Sequence, residues 1–265
     1  MRVVIEANVQ RVGEVAAEIL AAQVRRDPRS VLGLATGGTP CGCYRELIAI
    51  HRRDGLDFSQ VRTFNLDEYW GISPDHPQSY HTFMRAELFQ YLNLCPANCH
   101  LPRGDASDSI AESERYERGI RDAGGIDIQL LGLGRNGHIG FNEPGSSLAS
   151  RTRVKHLARQ TIDDNARFFG APELVPRSAI TMGVQTILDA RHCLLLATGI
   201  SKAGAIAAAV EGPVTAAIPA SALQLHPQVT VIVDEDAAAE LRNREYYLLA
   251  EQGRRESSEY ESPQH

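Results

Sequence analysis

Apolar positions along this chain follow two alternating periods. Short runs of strand length, apolar at most positions, occur at residues 3–5, 30–35 (SVLGLA), 61–66, 126–133 (IDIQLLGL), 192–198 (HCLLLAT) and 229–233. Between them the apolar residues fall three and four apart. Val12, Val15, Ala16, Ile19 and Leu20 predict a helix over 10–26, and Tyr44, Leu47, Ile48 and His51 predict another just after Pro40. Further helical stretches are expected at 79–91, 109–123, 203–211 and 235–249, with Asp234 placed to cap the last. Residues 178–182 fit either period, and a helical turn is expected at 185–189. Strands alternating with helices predict an α/β fold, a modified Rossmann-like and mostly parallel sheet with helices on both faces. With no repeat and no linker, residues 1–251 read as one α/β domain. Residues 252–265 (QGRRESSEYESPQH) read as a polar, flexible tail.

Composition narrows the partners. The 265 residues are 43% hydrophobic, enough for a sizeable core, and carry a net charge of -6. No Lys/Arg-rich run is present, so no nucleic acid is expected, and an anionic ligand has to be held by a local site. No stretch of 18 apolar residues points to a membrane, and the acids in the first twenty residues exclude a signal peptide. A cytoplasmic location follows as the expectation. The five cysteines include Cys41-x-Cys43 and Cys95-x3-Cys99, neither with the spacing of a zinc site, so reduced thiols and no metal are expected.

Chemistry-bearing residues collect just after the strand-like runs, where open α/β sheets bind ligands. Thr36-Gly37-Gly38-Thr39-Pro40 is a glycine turn entering a helix, suited either to a monophosphate or to simple helix capping. Thr198-Gly199-Ile200-Ser201-Lys202 repeats the arrangement and adds a cation at a helix start, where it opposes the macrodipole unless an anion compensates. Asp67-Glu68 follows the run at 61–66, and adjacent acids point different ways, so one faces a site while the other is free to cap a helix. Residues 132–145 contain G-x-G-x-x-G, but Gly140 and Pro144-Gly145 prevent the helix that a dinucleotide site needs. That loop instead presents His138, Asn142 and Glu143, an imidazole with a carboxylate able to fix its tautomer.

Taken in order, LGLATGGTP (32–40), TFNLDEYWG (63–71), HPQSYHTFM (76–84), LLGLGRNGHIGFNEPGSSLASRTRVK (130–155), NARFF (165–169), ATGISKA (197–203) and SALQLHP (221–227) resemble the glucosamine-6-phosphate deaminases over nearly the whole chain. The resemblance implies an amino sugar phosphate as substrate, isomerisation with release of ammonia, and no cofactor. It implies Asp67 as the proton shuttle between C2 and C1, and His138 as the ring-opening base supported by Glu143 and Asn136. Some members carry Asp where this chain has Asn136. Phosphate would be held by Thr36, Gly37, Gly38, Thr39, Arg167 and Lys202. Ser146, Arg153 and Lys155 match parts of a site at which some members are activated by the N-acetylated sugar phosphate. A homo-oligomer, trimer or hexamer, is implied as well. Because Arg167 lies in a stretch with little strand character, residues 157–177 are expected to form a mobile lid.

Two other readings remain beside this one. A 6-phosphogluconolactonase-like hydrolase shares the fold and the phosphate site but has no need of a carbon-acid base such as Asp67. A sugar-phosphate sensor without turnover normally carries a DNA-binding helix pair, for which residues 1–30 leave no room.

Overall fold

The structure is a computed structural model that describes residues 1–260. In chain order its regular elements are β1 (Arg2–Glu6), α1 (Val9–Arg26), β2 (Val31–Leu34), α2 (Gly38–Asp54), β3 (Arg62–Asn65), β4 (Asp67–Tyr69), α3 (Tyr80–Glu87), β5 (Cys99–His100), α4 (Ser109–Asp122), β6 (Ile128–Gly132), β7 (Arg153–His156), α5 (Arg159–Phe169), β8 (Ser178–Thr181), α6 (Val184–Leu188), β9 (His192–Ala197), α7 (Ala203–Val210), β10 (Val229–Asp234) and α8 (Arg244–Tyr260). Seven strands form one parallel sheet in the order β1-β10-β9-β6-β2-β3-β5.

Alternation along each strand sends side chains to two cores. Leu32, Leu34, Ile128, Leu130, Leu194 and Leu196 meet α1, α2 and α3 on one face. Val31, Phe64, Leu131, Leu195 and Val231 meet α4, α6 and α7 on the other. Both faces are thus dry, which is why the strands read as unbroken apolar runs. From β2 the chain builds outward to β3 and β5, then returns to place β6 on the opposite side of β2. Such a reversal opens a crevice at the carboxyl ends of the strands.

A second, three-stranded antiparallel sheet, β4-β8-β7, stands at that end. The ambiguous stretch at 178–182 is its central strand. Phe141, Tyr69, Ile72, Leu157, Val175 and Ala179 form a small third core beneath it.

The C-terminal elements differ from those expected. The last helix begins at Arg244, not at 235, and turns fill the gap. Ala237, Ala238 and Leu241 are buried in the main core from those turns. Glu211 accepts the amides of Arg242 and Asn243 at 2.8 and 2.9 Å, which holds the chain out of the helix until Asn243. Asp234 caps only the turn, through Ala237 N at 2.9 Å. The stretch expected to be loose from 252 is helical as far as Tyr260, and 261–265 lie outside the described residues. Arg255 ties it down by bonding both Glu251 and Glu6, and Arg2 bonds Glu251 just before it. Among the described residues, no helix is long and apolar enough to cross a membrane.

Candidate active site

A cavity of about 610 Å³ lies at the crevice, and the loops after β2, β3, β6 and β9 all open onto it. Thr36, Gly37, Gly38 and Thr39 line it, and so do Lys202 and Arg167. Asp67 and His138 line the same cavity. The six phosphate candidates and two of the four acid-base candidates therefore share one space. Asn136 and Glu143 stand behind His138 rather than on the cavity wall.

Gly37 adopts φ 98°, a conformation that an L side chain resists, and α2 starts immediately after it with no side-chain cap. The free amides of that first turn and the helix dipole face the cavity end, so an anion there finds donors ready-made. Lys202 Nζ donates to Leu133 O at 2.7 Å. Burial draws its proton affinity down, which the charge of Asp164 partly opposes. Arg167 projects from α5 with its guanidinium 4.6 Å from the ring centre of Phe168.

Asp67 and Glu68 separate as adjacent strand residues must. Asp67 is 5% exposed and faces the cavity. Burial, reinforced by the charge of Glu68, holds its carboxyl well above the usual range. Glu68 is fully buried on the other side. It accepts the amides of Tyr69, Tyr80 and His81 at 2.8, 2.8 and 3.2 Å, and so caps the first turn of α3. Those amides offset only part of its desolvation, and its pKa is pushed up to about 7.

On the glycine-rich loop, His138 Nδ1 lies 3.5 Å from Glu143 Oε2, at the outer limit of hydrogen bonding. Asn136 Nδ2 donates to the same oxygen at 2.8 Å, while Asn136 Oδ1 accepts the His138 amide at 3.2 Å. The other oxygen, Oε1, accepts Ala158 N at 3.1 Å, at the start of α5. Burial opposes ionisation of Glu143, but His138, Thr161 and Asn136 around it outweigh that cost and its pKa falls to about 2. Gly134 makes room for the imidazole: a Cβ there would sit 2.3 Å from His138 Cε1.

The three further candidates do not line this cavity. Arg153 borders a separate groove between α4 and β7 and donates to Asn142 Oδ1 at 2.8 Å. Ser146 is buried, and Lys155 sits in β7 opposite Ala179; neither lines that groove.

Several cavity residues carry no signal of their own in the sequence. Tyr80 is brought in by α3, and its ring stacks on Phe141 at 6.1 Å. Thr161, Asp164 and Asn165 come from α5, and Arg135 from the loop after β6. Position after a strand end could have drawn attention to Arg135 alone.

Known proteins give a consistent picture. Residues 5–232 match the family described as glucosamine-6-phosphate isomerases/6-phosphogluconolactonase. A glucosamine-6-phosphate deaminase of Hahella chejuensis (strain KCTC 2396) is 56% identical over 247 residues, 93% of this chain and 94% of that protein. Among solved structures, a monomeric glucosamine-6-phosphate deaminase superposes with a TM-score of 0.89 at 48% identity, covering 91% of this chain and all of that one. A 6-phosphogluconolactonase from Leishmania guyanensis has a TM-score of 0.69 at 22% identity, covering 89% of this chain and 97% of that one, a likeness of fold alone.

Proposed function

The chain belongs to the family of glucosamine-6-phosphate isomerases and 6-phosphogluconolactonases, and within it we infer the reaction of a glucosamine-6-phosphate deaminase: glucosamine 6-phosphate and water give fructose 6-phosphate and ammonia. The observation that carries the assignment is the cavity itself. One buried carboxylate and one imidazole face the same space as a glycine turn, a lysine and an arginine suited to a phosphate.

With the phosphate held at Thr36–Thr39, Lys202 and Arg167, the sugar's reacting carbons lie toward Asp67 and His138. His138 takes the proton of the anomeric hydroxyl and returns it to the ring oxygen, opening the ring. Glu143, ionised at neutral pH, stabilises the imidazolium that forms in between, and Asn136 fixes that carboxylate. Asp67 then removes the C2 proton and delivers it to C1, while a proton lost from the nitrogen is matched by one gained at the C1 oxygen, which becomes a hydroxyl. The C–N bond at C2 is left as an imine, which water converts to the ketone and ammonia. One carboxylate suits both carbons because they are neighbours. Binding energy at the remote phosphate orients the chain for this transfer.

Arg167 reaches the phosphate from α5, and residues 157–177 act as a lid over it. The support is that α5 packs on the small third core through Ile162, Ala166 and Phe169, and not on the main sheet. Ser146, Arg153 and Lys155 stay a candidate effector site, read from the resemblance. A cytoplasmic location agrees with five cysteines that are all free. The trimer or hexamer expected from the resemblance contrasts with the monomeric solved relative, and light scattering against 29.0 kDa per chain decides between them.

The test of function is release of ammonia and fructose 6-phosphate from glucosamine 6-phosphate by the purified chain, with no metal or nucleotide added. Equal release of the two is expected. Hydrolysis of 6-phosphogluconolactone without ammonia release from the amino sugar would replace this reading with the lactonase one.

A further inference from the structure

Arg135 and Asp164 face each other at the cavity rim, 29 residues apart in sequence. Arg135 Nε donates to Asp164 Oδ2 at 3.1 Å, and Nη2 bonds Oδ1, so the guanidinium grips the carboxylate with both arms. Their side chains are 45% and 37% exposed, and both residues line the cavity. Asp164, Arg135 and Arg167 each act electrostatically on Lys202, and all four residues line the cavity. This part of the wall thus holds three cations and one anion.

We propose that Arg135 is a third phosphate-holding cation of this site, and that Asp164 is the resident anion that occupies it until the substrate phosphate arrives. The fork that binds a carboxylate with two parallel N–H bonds fits two phosphate oxygens equally well. Half-exposed ion pairs are weak, so the carboxylate gives way at little cost. A phosphate monoester carries nearly two charges near neutral pH against one for Asp164, and it also engages Lys202 and Arg167, which makes the exchange favourable. Asp164 lies one helical turn before Arg167 on α5, so releasing Arg135 removes one of the ties between α5 and the glycine-rich loop and leaves that of Glu143 to Ala158 N.

The inference rests on the phosphate-site reading, so the test begins with inorganic phosphate titrated into the full parent chain by calorimetry. No binding to the parent would remove the phosphate site and this proposal with it. Given binding, Arg135→Gln should weaken phosphate by about tenfold, the loss of one charged hydrogen-bonding group. Asp164→Asn should strengthen phosphate and lower KM, because it removes the competing anion. The double variant should behave as Arg135→Gln alone. If Arg135→Gln leaves phosphate binding within about twofold of the parent, Arg135 holds no phosphate and the proposal falls. If Asp164→Asn weakens phosphate as Arg135→Gln does, the pair is a strut that positions α5, and the exchange is overturned.

Discussion

Asp67 and Glu68 are consecutive residues whose carboxylates serve opposite sides of one short strand. Asp67 points into the cavity, and Glu68 points into the protein, where it holds the first turn of α3. Because α3 carries Tyr80 onto the cavity wall, one buried acid both raises the proton affinity of Asp67, on top of the effect of burial, and holds the shape of the site.

This pairing predicts two different phenotypes. Asp67→Asn should lower turnover by at least about a thousandfold, within the usual range for loss of a positioned proton carrier, and leave phosphate binding intact. Glu68→Gln keeps one acceptor for the α3 amides but removes the charge. Asp67 acts as its anion, so activity is lost as pH falls through its raised pKa. Without the Glu68 charge that pKa drops, and the acid limb of kcat/KM should move to lower pH. An unmoved limb in Glu68→Gln would mean that burial alone sets Asp67.

Glu143 predicts a dependence of stability on acid. Its folded pKa of about 2 lies below the usual carboxylate value, so its contacts stabilise the fold fully above the unfolded pKa. That contribution fades as pH falls from about 4.3 toward 2. Urea midpoints should therefore decline more steeply over that window in the parent than in Glu143→Gln. The same variant should lose activity at neutral pH, since the imidazole of His138 loses the carboxylate that lies 3.5 Å from its Nδ1. Parallel stability curves for the two proteins would count against an ionised Glu143.

Much of this site was legible because its parts lie in contiguous loops at strand ends. Thr36–Thr39, His138 with Glu143, and Lys202 each come as a short segment, and the parallel sheet brings the segments together. What the sequence hid depends on pairing across distance. β4 is only Asp-Glu-Tyr and β7 only Arg-Val-Lys-His, so their strand character comes from hydrogen bonding to β8 and not from an apolar pattern. The partner of Arg135 sits on a helix 29 residues away. The start of α8 was misplaced because Glu211, far upstream, decides where the helix begins.

Gly134 predicts a steric phenotype. Its missing side chain is what lets the imidazole of His138 lie against the loop. Gly134→Ala forces a shift in one or the other, at a cost of about 1–3 kcal/mol if the loop resists. The expected outcome is a large loss of kcat with a smaller change in KM for the sugar phosphate, because the Thr36–Thr39 turn and Arg167 lie on other elements. A crystal structure of the variant with His138 unmoved and activity retained would show that the loop absorbs the methyl group.

Arg167 tests the lid. Its helix rests on the third core through Phe169, which meets Tyr69 edge-on at 5.2 Å, and is pinned to the glycine-rich loop by Glu143 at its first turn and by Arg135 at Asp164. Few attachments of this kind favour local opening. Arg167→Ala should raise KM by roughly 10–100-fold, the loss of a charged hydrogen-bonding group, with a smaller fall in kcat. Amide exchange across 157–177 should be fast in the free protein and slow in the presence of a non-reactive sugar phosphate, while the strands of the main sheet stay protected in both states. Equal exchange in this segment with and without ligand would mean that Arg167 is already in place before the phosphate arrives, and that α5 is a wall of the site and not a lid.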